Sequence, residues 1–345
     1  MFKQQMMKNT WGWHVVLGYA IPTFILVAPS FVINQLGLSE WEAFTFSSIP
    51  FLGRVVGALI YQSLSRIIGS KTVYSVSMAS MGVLSLSTGV THDLPLMLFE
   101  RVLIGIFYGV LTSLAVAYAA SSGNEKLVAF VMAGWAFGWI GAAFAFSEFQ
   151  YWYIIALTGL IAIPAASVPI SAPIANSRFS VPSILSIVAA LLCFEPAFAL
   201  QLAPTILEEE GQQVLPWMIA AYGSAVPMYF ILPMIFKRSR FVIVRLTILQ
   251  GLAGALFFLT GFTPLLLPFT TIGLALGAIA PALAMEYGTD PTSSGMALNF
   301  AALGGLAIPV ISSLLGLQYT TSSITIISFL GLSFMLRGRK LLLAN

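Results

Sequence analysis

Twelve apolar runs, each about as long as a bilayer is thick, fill this chain almost from end to end. A hydrocarbon core of about 30 Å needs roughly 20 apolar residues in helical form. Runs of that length fall at about 13–35, 43–65, 72–91, 96–119, 128–147, 151–172, 182–204, 215–236, 242–262, 264–287, 294–316 and 321–337. The joints between them are short; "HDLP" (92–95) and "TDPTSS" (289–294) hold little more than a turn. Strand-like alternation is absent, which argues against a β-barrel. Lipid leaves backbone groups no water to bond, so helices are the element these runs predict. With 59% hydrophobic and 8% charged residues, the chain lacks the charge, about a quarter of residues, that a water-facing surface carries. The expected fold class is an all-α membrane protein of twelve transmembrane helices in two six-helix, pseudo-symmetric bundles.

The charges test the count. With twelve spans both termini lie on one side, and that side takes thirteen of the fifteen Lys and Arg residues, from Lys3 and Lys8 through Arg66, Lys71, Lys126 and Lys237 to Lys340. The opposite loops carry Glu40, Glu42, Asp93, Glu148 and Glu208–Glu210 instead. Lys and Arg favour the cytoplasmic side, so the termini are expected to be cytoplasmic, in a multi-pass protein of the cell membrane. The same distribution excludes nucleic acid as a partner, because the basic residues form a girdle and not a binding face. The first run is too long for a signal-peptide core and no small-residue cleavage site follows it, so it reads as a retained span. Cys193, the one cysteine, makes neither an internal disulfide nor a zinc site. Two histidines exclude a His-rich metal cluster, and no phosphate-cradling glycine loop is present. Neither an enzyme nor a cofactor is expected.

The longest joint on the basic side, "PIANSRFSV" (173–181), divides the chain into bundles at 1–172 and 182–345. The halves show faint self-similarity. A shift of 168 lays Gly105 and Gly109 over Gly273 and Gly277; a shift of 170 lays Gly53 over Gly223.

Three stretches carry a resemblance to the major facilitator superfamily. "FLGRVVGALIYQSLSRIIGSK" (51–71) is similar to that family's loop between spans two and three: Gly53 and Gly57 match its packing glycines, Gly69 its turn glycine, and Lys71 its last basic residue. Gln62 and Arg66 depart from the pattern, replacing a glycine and the aspartate, so the aspartate-centred charge network is not carried over. "ERVLIGIFYGVL" matches the span-four pattern at Arg101 and Gly105, and span five spaces Gly134, Gly138 and Gly141 for close packing. The resemblance implies a secondary active transporter of alternating access, with spans one, four, seven and ten lining a central site. It also implies for Arg101 a role in proton coupling or in holding span four against its neighbours.

Two charges lie deep in the spans. Arg54 is about eleven residues from either end of its run, too far to snorkel, and an arginine there costs about 2.5–3.5 kcal/mol on insertion scales. It must face a wet cavity, an acidic partner or an anionic ligand; the structural alternative is a pair with Glu195 or a cluster of carbonyls. Glu195 precedes Pro196 inside span seven, and burial of a carboxyl raises its pKa, making it the candidate proton carrier. Tyr19 and Asn299 are buried polar candidates for the lining. Arg54, Tyr19 and Asn299 are therefore expected to bind substrate, with Glu195 and Arg101 coupling protons. The expected partners are a small organic anion such as a carboxylate or sugar acid, a proton or other coupling ion, and the bilayer, around a monomer. Two alternatives remain open: a drug exporter of the same fold, against which the absence of span five's usual proline argues, and a non-transporting receptor or scaffold.

Overall fold

The structure, a computed structural model, describes residues 13–148, 151–170 and 181–342. The expected linker 173–181 lies outside the described residues except for Val181. Span one is α1 (Trp13–Val27), continued by a 3-10 turn at Ala28–Phe31. Span two is split into α2 (Glu40–Ser48) and α3 (Pro50–Ile68); α4 (Ser70–Thr88) and α5 (Leu94–Ser121) follow. Span five is α6 (Glu125–Met132) with α7 (Gly134–Glu148), and span six is α8 (Ile154–Ala165). Span seven is α9 (Ile184–Ala199), followed by α10 (Ala203–Glu209). Next come α11 (Val214–Arg238) and α12 (Arg240–Leu259). Span ten is α13 (Leu267–Ala275), a 3-10 stretch at Leu276–Ile279, and α14 (Ala280–Glu286). Span eleven is α15 (Ser294–Ala301), a 3-10 stretch at Ala302–Ala307, and α16 (Ile308–Leu315); α17 (Leu317–Leu342) completes the set.

Eight of these spans are long and apolar enough to cross a membrane alone, and three shorter apolar helices cover parts of spans six, seven and ten. With the 19-residue α4 they make up the expected twelve, and no strand occurs among the described residues. The protein is a multi-pass membrane protein. Its outward faces agree: Leu52, Val56, Leu59 and Ile67 form an exposed apolar stripe on α3, at the three- and four-residue spacing of one helix face.

Local chemistry sets the boundaries. Ser39 and Glu42 form a capping box at the start of α2, satisfying two orphan donors. Asp93 and Asn124 cap α5 and α6 through their side chains. Gly69, at φ +84°, turns the chain from α3 into α4 through a conformation a side chain would resist. Span two breaks at Pro50, which has no N–H to give the carbonyl four residues back, on Phe46. Pro29 acts similarly where α1 passes into its 3-10 turn.

In the first bundle α3 packs on α5, α4 on α8 and α5, and α1 on α7; in the second, α12 and α9 pack on α17, and α11 on α13. The α3–α5 seam is backbone on backbone. A Cβ on Gly57 would stand 1.9 Å from the Ile106 carbonyl oxygen, and one on Gly53 would stand 2.1 Å from that of Val102. Gly105 and Gly109 answer from α5, against the carbonyls of Pro50 and Arg54. In lipid, where no hydrophobic force drives helices together, such close approach supplies the dispersion contact. The bundles meet where α15 crosses α3 and α5, and where α11 crosses α6 and α7.

Candidate functional site

Arg54 sits on the second turn of α3, on the face the glycine seam presses against α5. It is 1% exposed. Its guanidinium carbon lies 4.5 Å from the centre of the Tyr108 ring and 5.6 Å from that of Phe51. Its Nε donates to Oδ1 of Asn299 on α15, at 3.0 Å, so the contact joins the two bundles. The amide of Asn299 is held in turn. Its Nδ2 donates to Ser113 Oγ at 2.9 Å, Thr112 Oγ1 at 3.1 Å and the Gly295 carbonyl at 2.9 Å. Thr112 gives its own proton to the Tyr108 carbonyl at 2.8 Å. These partners fix which end of the amide faces Arg54.

Among the described residues the compensation is incomplete. Taking a cation out of water costs several kcal/mol. A ring face returns about 0.5–2 kcal/mol, and a hydrogen bond to a charged group about 1.5–3 kcal/mol. Nη1 of Arg54 is buried with no hydrogen-bond partner, and among the described residues no carboxylate forms an ion pair with it.

Tyr19 joins the same cluster. Its ring stands edge-on to Tyr108, with centroids 6.2 Å apart, and the Tyr108 hydroxyl bonds Thr23 Oγ1 at 3.1 Å. Tyr229 of α11 is also buried, in the same core as Tyr19 and Tyr108. Tyr222, two turns earlier on α11, stacks on Trp139 of α7 at 5.0 Å. Arg54, Tyr19 and Asn299 thus share one cluster, Tyr19 through the Tyr108 ring. Tyr108, Thr112, Ser113, Tyr222, Tyr229 and Trp139 were not singled out by sequence; the spacing of Tyr108 and Thr112 on one face of α5 was the available signal.

Arg101 stands apart, about two turns along α5 from Tyr108. Its Nη2 donates to the Leu26 carbonyl at 2.8 Å and its Nε, more weakly, to that of Phe46 at 3.4 Å. The second is the carbonyl that Pro50 leaves without a helical donor. Its neighbour Glu100 accepts from Thr88 at 2.9 Å and from Ser87. Glu195 lies on α9, and its side chain is outside the described residues.

The end carrying the basic loops is closed by contacts between the bundles. Tyr61 donates to the Thr292 carbonyl, Gln62 donates to Ser293 Oγ at 3.1 Å, and Lys237 pairs with Glu125. A Cβ on Gly295 would come within 2.6 Å of Ser113 Cα. At the acidic end a cavity of about 540 Å³ opens between the bundles, lined by Phe31, Asn34, Phe146, Pro204 and Gln213 among others. Among the described residues no formally charged side chain lines it. Phe31, one of its lining residues, tilts against Trp139 with centroids 5.6 Å apart.

This arrangement of twelve helices is shared by solved membrane transporters. The chain superposes on the proton:xylose symporter XylE of the major facilitator superfamily with a TM-score of 0.67 and 12% identity, over 94% of this chain and 95% of that one. It superposes on a bacterial homologue of the human lysosomal transporter Spinster with a TM-score of 0.69 and 12% identity, over 96% and 97%. For the human organic anion transporter MFSD10 (TETRAN) the values are 0.68 and 14%, over 95% and 100%. The chain has the major facilitator fold. No family model matches its sequence, and no curated protein matches it at a significant level.

Proposed function

We propose that this protein is a secondary active transporter that carries a small organic anion by alternating access, with Arg54 as the anion's grip. The observation that carries the proposal is the under-compensated guanidinium: a full charge buried between the two bundles, with Nη1 open and only a neutral amide on Nε. A carboxylate oxygen can take Nη1 and compete with Asn299 Oδ1 for Nε, forming the paired contact that guanidinium geometry favours. Asn299 and Tyr19 complete the substrate set. Closure at the basic end and a cavity at the other suit a carrier that exposes its site to one side at a time. With the basic loops cytoplasmic, the closed end faces the cytoplasm and the carrier sits in the cell membrane.

Glu195 carries the coupled proton in this scheme. Its protonation removes a competing negative charge, so proton and anion prefer the same state. The direct test is a thermal-shift screen of small acids on the purified protein, repeated on Arg54→Gln. Hits in the wild type that all vanish in the variant support the proposal; hits that survive refute Arg54 as the grip. Uptake that keeps its pH dependence in Glu195→Gln refutes the coupling.

A further inference from the structure

We infer that the ligand is a monocarboxylate with a planar aromatic body, and not a polyhydroxylated acid. The proposal rests on Arg54 as the anion grip and goes on to the rest of the molecule that binds there. Three observations converge on it.

The first is charge. Arg54 is the one cation in the cluster, and no other charged side chain is among its described contacts. One carboxylate neutralises it. A second would be buried unpaired, at the cost that attends any isolated charge out of water.

The second is the state of the hydroxyls and amides. A sugar acid brings several hydroxyl groups, each needing a partner once water is removed. The polar groups around Arg54 are already committed to each other: Asn299 Nδ2 to Ser113, Thr112 and Gly295, Thr112 to the Tyr108 carbonyl, and the Tyr108 hydroxyl to Thr23. Beside Arg54 it is Nη1 that remains open, which suits a carboxylate oxygen; farther along the wall Trp139 Nε1 and the Tyr222 hydroxyl also lack a partner among the described residues, too few for the several hydroxyls of a sugar acid.

The third is the wall. Tyr19, Tyr108, Tyr222, Tyr229 and Trp139 are all 1% exposed or less and come from α1, α5, α7 and α11, so both bundles contribute ring faces. Among the described residues they continue outward without a charged interruption. Tyr222 and Trp139 stack nearly parallel, 5° between planes, and Trp139 meets Phe31, which lines the cavity at the acidic end. Ring edges and faces select another ring over an aliphatic body of equal size, because the quadrupoles pair in offset or edge-on geometry.

Isothermal titration calorimetry on the full-length protein in detergent tests this with five probes. Benzoate supplies one charge and a ring. Cyclohexanecarboxylate keeps the charge and bulk without the ring, gluconate exchanges the ring for hydroxyls, terephthalate adds a second charge, and benzamide removes the charge. Benzoate is expected to bind about tenfold more tightly than cyclohexanecarboxylate, the sum of two modest ring contacts, and the other three more weakly still. Tyr229→Leu should narrow the benzoate to cyclohexanecarboxylate ratio toward one. A general loss of folded protein would lower the binding stoichiometry for both acids and leave the ratio of affinities alone. Cyclohexanecarboxylate or gluconate matching benzoate would overturn the aromatic inference while leaving the anion reading in place; terephthalate matching benzoate would overturn the single charge. Acids that bind equally well to Arg54→Gln would bring down the anion reading itself.

Discussion

Gly57→Ala is the sharpest perturbation of the frame that holds Arg54. The added Cβ would stand 1.9 Å from the Ile106 carbonyl oxygen and 2.9 Å from the Ile106 carbonyl carbon. Both are helix backbone, so neither can swing aside. Restoring an ordinary contact of 3.4 Å requires α3 to retreat from α5 by about 1.5 Å, in an interior packed as densely as an organic crystal. Overpacking of this kind costs about 1–3 kcal/mol. The displaced segment also carries Arg54, one turn away. Its 3.0 Å bond to Asn299 has little slack before it exceeds the ~3.2 Å reach of an N–H···O bond. Gly57→Ala should therefore lower the thermal midpoint followed by size-exclusion chromatography in detergent, and weaken whatever acid the wild type binds. Gly223→Ala is the control. Nothing lies within 4 Å of its added Cβ, and alanine improves helix propensity by up to about 1 kcal/mol, so its midpoint should hold or rise. If Gly57→Ala is as stable as Gly223→Ala and binds acids normally, the α3–α5 seam does not position the site.

Three other substitutions separate the groups around it. Asn299→Asp puts a carboxylate against Arg54 in nearly the same volume; the protein should fold, and calorimetry should find anion binding lost because the charge is already neutralised. Arg101→Met removes the donor from two carbonyls and should cost about 1–3 kcal/mol of stability while leaving calorimetric acid affinity within about twofold, a margin of ~0.4 kcal/mol by the affinity scale. Loss of affinity there, with stability kept, would place Arg101 in the coupling machinery. Lys237→Ala breaks an ion pair whose side chains are 65% and 51% exposed; such pairs contribute about 0–1 kcal/mol, so the thermal midpoint should barely move.

Much of this fold was legible because lipid permits few structures. Run length and the sorting of Lys and Arg to one side suffice for twelve spans, and burial cost alone singles out Arg54. Hydropathy cannot register hydrogen-bond geometry, so the division of spans two, ten and eleven into shorter segments was invisible in uniformly apolar sequence. Pro50 was the available marker for the first of these. Asn299 was recognisable as a buried polar group, yet its partner lies 245 residues away, a distance no local pattern spans. Tyr108, Thr112 and Tyr229 are ordinary residues in a membrane run, and it is their convergence that gives them a role. Gln62 read only as a departure from the family's loop pattern, whereas in the folded chain it ties α3 to Ser293.

The positions that the faint internal repeat equates are mechanically unlike. On one side α5 runs 28 residues without a break, a strut of about 42 Å at 1.5 Å per residue. Its counterpart around Gly273 and Gly277 is jointed: α13, a 3-10 stretch and α14 in succession. A strut and a jointed rod bend differently under the same load. If the protein works as the proposed carrier, excursions between its states should then concentrate in the second bundle, with the first, seamed by glycine and bearing Arg54 and Tyr108, acting as the anvil against which it moves.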